Sequence, residues 1–204
     1  MNERLPHLRP GDSGVEEPLT VVFVRHAQAV PQDAGEPVDP PLTELGRIQA
    51  RRVAERLTED FFDHVYVSDL RRARETAEGI LESHPDTPRT VTPDLREVSA
   101  CHFIPRMRAP EGEALRRYRR QRRTLKKFVS DLRKKHGGGE KVLVVAHGNI
   151  IRTLVPMFAG RSPRRSVLMN ISNAAVTIQQ LWLSGEAIVT LANCVKHLAP
   201  SQVT

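Results

Sequence analysis

Apolar residues in this chain fall into two kinds of stretch that take turns: short unbroken runs, and longer segments in which they recur every three or four positions. Thr20-Val-Val-Phe-Val24 is a run of β-branched and aromatic residues, the pattern of a parallel strand buried on both faces. It stops abruptly at Arg25 and His26, so the strand delivers polar side chains to the carboxyl edge of its sheet. That edge is where open α/β sheets gather ligands. Val142-Leu-Val-Val-Ala146 repeats the design and stops at His147, Gly148 and Asn149. If both strands are central and parallel, His26 and His147 emerge side by side.

The periodic segments fill the intervals. Leu45, Ile48, Val53 and Leu57 predict a helix from Thr43, its expected N-cap, to about residue 58, with that apolar face on the sheet. Val65-Tyr66-Val67 predicts a second strand ending at Ser68-Asp69. Leu70, Ala73, Ala77, Ile80 and Leu81 predict a helix over 71–83, closed by His84-Pro85. Thr90-Val91-Thr92 predicts a short third strand, and 95–98 carries no periodicity. Leu115, Tyr118, Leu125, Phe128, Val129 and Leu132 mark one face of a helix over about 113–136, ended by Gly137-Gly138-Gly139. A helix from Asn149 to about Phe158 follows, then strands near 174–182 and 186–192 with Ser184-Gly185 as a hairpin turn. Residues 1–19 are polar, rich in Pro and Gly and without period, so a disordered lead-in is expected there. Asp39-Pro40-Pro41 breaks the loop over 30–41. Strands alternating with helices predict an α/β three-layer sandwich over 20–197. It is a single domain with a mostly parallel central sheet, helices on both faces and an antiparallel edge.

Composition changes this picture in one place. The net charge is +7, but 13 basic and 3 acidic residues lie between Arg106 and Lys135, a local balance of +10. The basic character therefore belongs to the long amphipathic helix and its approach, and the whole-chain isoelectric point says little about partners. Cys101 and Cys194 stand far apart with no Cys-x-x-Cys spacing, which signals neither a disulfide framework nor a zinc site. Nowhere do about 18 apolar residues run together, and the start of the chain lacks the pattern of a secretory signal. A cytoplasmic protein with reduced thiols and no membrane partner is expected.

Five short motifs carry the chemistry. In order they are Arg25-His26-Ala27-Gln28, Leu42-Thr43-x-x-Gly46-x-x-Gln49-Ala50, Ser68-x-Leu70-x-Arg72-Ala73-x-x-Thr76-Ala77, Leu95-x-Glu97, and Ala146-His147-Gly148-Asn149-x-Ile151-Arg152. Together they resemble the histidine phosphatase superfamily, the phosphoglycerate-mutase-like enzymes, over roughly residues 20–192. The resemblance implies that His26 attacks phosphorus and becomes phosphohistidine. It implies that Arg25, Arg72 and His147 bind the phosphoryl oxygens, and that Glu97 protonates the leaving oxygen and then activates water. The physical requirements agree. A phosphoryl group in flight spreads charge over three oxygens and needs fixed cations around an in-line nucleophile. Neutral imidazole supplies the nucleophile, and guanidinium the rigid forked donors. No metal or other cofactor is called for.

Simpler roles compete at several positions. Arg72 stands in a run with Arg71 and Arg74 that a solvated helix face would explain. Ser68 serves equally as a helix N-cap, and Asn149 reads as a cap rather than a substrate contact. His7, His64, His84, His102, His136 and His197 read as ordinary residues. One position departs from the pattern: Ala27 stands where the family usually has glycine, and its methyl group would crowd a ligand or bar a positive φ. Arg-His-Ser and Arg-His-Ala forms occur in the resembled family's protein-serine/threonine phosphatases, which brings a phosphoprotein beside phosphorylated small molecules as substrate. The longer stretch that the family's mutases carry after Leu-x-Glu is not found, so hydrolysis comes first and phosphoglycerate-mutase-type phosphotransfer second. A third reading makes the 106–135 segment a binding surface on a catalytically weak scaffold. Tyr118 and Phe128 fall on the apolar face of their helix, so no aromatic stacking pattern supports nucleic acid. Specificity would reside in the loops 28–41 and 98–113. A homo-oligomer is compatible with all of this, and no residue pattern speaks to it.

Overall fold

A computed structural model describes residues 16–31, 39–98, 111–165 and 169–204. Most of the lead-in, parts of both specificity loops, Cys101, His7 and His102 lie outside the described residues. The elements in chain order are β1 (Leu19–Arg25), α1 (Glu44–Leu57), β2 (His64–Ser68), α2 (Arg71–Glu82), β3 (Arg89–Thr92), α3 (Gly112–Lys135), β4 (Lys141–Ala146), α4 (Gly148–Phe158), β5 (Val176–Leu181) and β6 (Ala187–Cys194). The sheet order is β3-β2-β4-β1-β5-β6. β1 pairs with β4, and β2 with both β3 and β4, in parallel; β5 and β6 add an antiparallel edge. The expected α/β three-layer sandwich is the observed one.

Alternation along each central strand feeds two separate cores. Val21, Phe23, Val142 and Val144 point to the face covered by α3 and α4, where Phe128, Leu132, Ile151 and Leu154 meet them. Val22, Val24, Leu143 and Val145 point to the opposite face, covered by α1 and α2 through Val53, Leu57, Ala77 and Ile80. Each such fully buried side chain stabilises by roughly 1.5–3 kcal/mol relative to exposure. Both strands are thereby anchored from either side just below the edge where their histidines emerge.

Two helix faces differ from the pattern expected. In α1, Leu45 and Ile48 are only half-buried, while Gly46, Gln49 and Ala50 turn inward with Val53 and Leu57. The cause is close packing against the chain after β1: a Cβ on Gly46 would lie 2.0 Å from the Gln28 carbonyl oxygen. In α3, burial is confined to Leu125, Phe128, Val129 and Leu132; Leu115 and Tyr118 are half-buried. The first turns of that helix extend away from the core. The unassigned segment before Glu97 is a 3-10 turn, Pro93–Leu95, in which Thr92 Oγ1 accepts from Asp94 N.

Candidate active site

The β1/β4 register sets the site. Arg25 is the Cα partner of Ala146, so the next residues, His26 and His147, stand beside each other at the carboxyl edge. His26 N donates to Ala146 O at 2.8 Å, and the two ring centroids are 5.0 Å apart at an interplanar angle of 62°. The turn before β5 braces the same point, with Asn173 Nδ2 donating to His26 O at 3.0 Å and Ala174 N to Arg25 O at 3.1 Å.

His26 Nδ1 lies 2.7 Å from the Ala27 carbonyl oxygen. A carbonyl only accepts, so Nδ1 carries the proton and Nε2 keeps its lone pair. Arg72 Nε donates to that Nε2 at 3.2 Å, which places a guanidinium directly against the lone pair. Burial, and then the charges of Arg72 and Arg25, draw the His26 pKa from 6.5 to about 3, so the ring is uncharged at neutral pH. Arg71 and Arg74 point outward, Arg71 onto Glu75 at 2.6 Å. Arg72 alone of the three enters the site, with Asp39 3.9 Å from its other side.

Ala27 does not crowd the site. Its side chain is fully buried in the core beneath α1 and α2, and it is not among the positive-φ residues, Ala174 and Asn193. Thr76 Oγ1 accepts from Ala27 N at 3.0 Å and donates to Arg72 O at 2.7 Å, tying the His26–Ala27 segment to the start of α2 through one hydroxyl.

His147 Nε2 is 2.9 Å from Ser68 Oγ, and its Nδ1 is buried without a hydrogen-bond partner among the described residues. Burial, and then the charges of His26, Arg72 and Arg25, draw its pKa to about 2. Arg25 is held by NH1 on Ile171 O at 2.5 Å, while its Nε is also buried and unpartnered. An unpaired buried polar atom costs about 1–3 kcal/mol. Glu97 completes the cluster at the N-terminus of α4: Oε1 accepts from Val98 N at 3.0 Å and Ile150 N at 3.2 Å, Oε2 from Asn149 N at 3.4 Å. Burial pushes its pKa up, against the lowering effect of those three bonds and of Arg25. Among the described residues, no group of three or more His, Cys, Asp or Glu side chains is arranged to hold a metal ion.

Two expected caps are something else. Ser68 is not the N-cap of α2, which is Leu70 without a side-chain bond; its hydroxyl lies 2.9 Å from His147 Nε2 and also accepts from Leu70 N at 3.4 Å. Asn149 does not cap α4, whose N-cap is His147; its amide donates to Val98 O at 2.9 Å and accepts from Arg152 at 3.1 Å, fixing the Glu97 segment to the helix. The motif at 42–50 proves to be scaffolding. Thr43 caps α1 and donates to Gln28 Oε1 at 2.7 Å, and Gln49 accepts from Gln28 N at 2.7 Å while donating to Gln202 O and Thr204 Oγ1. Asn173 carried no signal in the sequence, because nothing local marks a residue that acts across 147 positions.

A family model described as histidine phosphatase superfamily (branch 1) matches residues 21–194. The chain belongs to that superfamily. It is 28% identical over 209 residues to a Yersinia enterocolitica protein named "Probable phosphoglycerate mutase GpmB", covering 88% of this chain and 95% of the relative. Among solved structures it resembles mycobacterial glucosyl-3-phosphoglycerate phosphatase, with a TM-score of 0.66, 23% identity, and coverage of 87% of this chain and 99% of the other. It also resembles Entamoeba histolytica phosphoserine phosphatase in complex with 3-phosphoglyceric acid, with a TM-score of 0.69, 20% identity, and coverage of 89% and 100%. At these identities the likeness shows the fold. Superfamily members are phosphatases or mutases.

Proposed function

We propose that the protein is a phosphatase that hydrolyses phosphomonoesters through a phosphohistidine on His26. The observation that carries this reading is the His26 ring itself, pinned by Nδ1 to the Ala27 carbonyl oxygen and uncharged, with its Nε2 lone pair against the Arg72 guanidinium. Arg25, Arg72 and His147 hold the three equatorial oxygens, and Glu97 donates its proton to the leaving oxygen as the P–N bond forms. Glu97, now a carboxylate, then takes a proton from the water that cleaves that bond, returning His26 and releasing inorganic phosphate. No step calls for a metal. The substrate is a phosphorylated small molecule or a phosphoprotein; the latter is the feature shared with the Arg-His-Ala type of protein-serine/threonine phosphatase.

The second reading is a phosphoglycerate-mutase-type phosphotransferase, in line with the name of one relative; it would share the first half-reaction and return the phosphoryl group to an acceptor. The test is hydrolysis of para-nitrophenyl phosphate with excess chelator. Wild type turns over and His26→Ala loses essentially all activity, with acid-labile phosphate trapped on wild type alone. Equal rates for the two proteins overturn the reading. Phosphate transfer to an added acid without release of inorganic phosphate turns it into the mutase.

A further inference from the structure

Asp39 enters the sequence only as the head of the chain-breaking triplet Asp39-Pro40-Pro41. In the fold it meets the first turn of α2. That helix starts after an N-cap, Leu70, that makes no side-chain bond, and its first turn holds no acidic residue. Asp39 supplies both from outside the helix: its Oδ1 accepts from Arg71 N at 2.6 Å and lies 3.9 Å from Arg72 NH1. The two prolines lock φ over the residues that follow, and the loop is tied down just past them. Val30 N donates to Pro41 O at 3.0 Å and Leu42 N to Glu75 Oε2 at 2.8 Å, so Asp39 is carried by the segment after His26 and by α2 together. Arg72 is thereby held at two ends, Nε on His26 Nε2 at 3.2 Å and NH1 toward Asp39. A guanidinium is planar and rigid, so two fixed ends set its plane. As an ion pair the contact contributes little to stability, because a separation of 3.9 Å and a carboxylate side chain 38% exposed leave it screened by water. Its effect lies in where the donors point. A phosphoryl group entering the site must take over the Arg72 Nε donor so that the His26 lone pair can reach phosphorus. A guanidinium anchored through NH1 gives up that donor without leaving the site.

We infer that Asp39 is a positioning residue for phosphoryl transfer, holding the Arg72 guanidinium in the plane that serves both His26 and the phosphoryl oxygens. It touches neither the substrate nor the reacting atoms and acts through Arg72 alone. The loop that carries it is thereby coupled to the phosphate clamp, and the inference rests on the phosphatase reading.

Two substitutions separate positioning from capping. Asp39→Asn keeps an oxygen for the Arg71 N–H and removes the charge that faces Arg72, whereas Asp39→Ala removes both. The urea midpoint of Asp39→Asn stays at the wild-type value and that of Asp39→Ala falls with the lost cap. On para-nitrophenyl phosphate kcat falls about ten-fold in both variants, because a small misplacement of a clamping group suffices for a loss of that size. The pairing with Arg72 is read from a double-mutant cycle. In an Arg72→Lys background, where no planar fork remains to be oriented, Asp39→Asn costs about two-fold or less. Where turnover in that background is too slow to follow, the same cycle is read from orthovanadate affinity by calorimetry. Wild-type kcat in Asp39→Asn reduces Asp39 to a cap and overturns the inference. Equal losses with Arg72 and with Lys at that position overturn it too, since Asp39 then acts independently of the guanidinium. In either case His26-dependent hydrolysis by wild type leaves the phosphatase standing. If wild type and His26→Ala hydrolyse at the same rate, the reading beneath fails and the positioning role goes with it.

Discussion

Ser68 has the largest effect for the least chemistry. Its hydroxyl lies 2.9 Å from His147 Nε2, and when it donates there the imidazole proton resides on Nδ1, which has no hydrogen-bond partner among the described residues. His147 can then donate to a phosphoryl oxygen without becoming charged. Ser68→Ala is expected to lower kcat by about ten-fold, the equivalent of one hydrogen bond to a developing charge, while Ser68→Thr recovers part of the loss. A kcat equal to wild type in the alanine variant would remove Ser68 from this role. Glu97 makes a second prediction at this scale. Its raised pKa keeps it protonated to higher pH than an ordinary glutamate, so the acid that helps the leaving group is lost only as pH rises through that raised value. Glu97→Gln should flatten the alkaline limb of the kcat/KM profile. It should cost about 10²-fold or more on alkyl phosphates and much less on para-nitrophenyl phosphate, whose leaving anion needs little protonation.

At the level of elements, the site depends on α1 lying closer to the sheet edge than its leucines suggest. Gly46→Ala would push a methyl group into the Gln28 carbonyl, so the helix or the His26–Gln28 segment must move. Overpacking of this kind costs about 1–3 kcal/mol, read as a lower urea midpoint, and activity should fall further than stability because the displaced segment carries His26, the proposed nucleophile. The strands, the order of elements and the pairing of His26 with His147 were legible in the sequence, because buried parallel strands announce themselves as apolar runs and stop where polar chemistry begins. The inward face of α1 was not, since Gly46 and Gln49 are placed by hydrogen bonding and close approach rather than by hydrophobicity. Nor was the half-exposed start of α3, because periodicity shows which face is apolar and not how far the supporting core extends. Arg72 could be chosen over Arg71 and Arg74 only through its motif; the structure adds the reason, a turn of α2 aimed at His26.

For the molecule as a whole, His26 and His147 tie folding to pH. Each has a pKa near 6.5 when unfolded and about 3 or about 2 when folded, so between those values the unfolded chain binds more protons. Stability therefore falls as pH drops from 6.5 toward 3. Glu97, raised in the fold, acts in the opposite sense, its stabilisation being present below its ordinary pKa and lost as pH rises through the raised one. His64 and His197, each drawn down to about 4 chiefly by burial, act in the same sense, and four histidines against one glutamate leave a net acid sensitivity. Urea midpoints measured from pH 7.5 to 4.5 should decline, and the decline should be shallower in His26→Asn/His147→Asn; equal slopes would show that other groups govern it. Among the described residues, no helix is long and apolar enough to cross a membrane.

The spacing of the two imidazoles is inherited from the hydrogen-bond ladder between β1 and β4, and no side chain adjusts it. A strand that slips by one residue carries its side chains about 3.3 Å along and turns them to the opposite face. Adding or deleting one residue within either strand would therefore send one ring into a core and leave the other alone at the rim. Lengthening the connections around the rim asks nothing of that ladder, so new substrates can be reached by remodelling loops while the reacting centre stays in place.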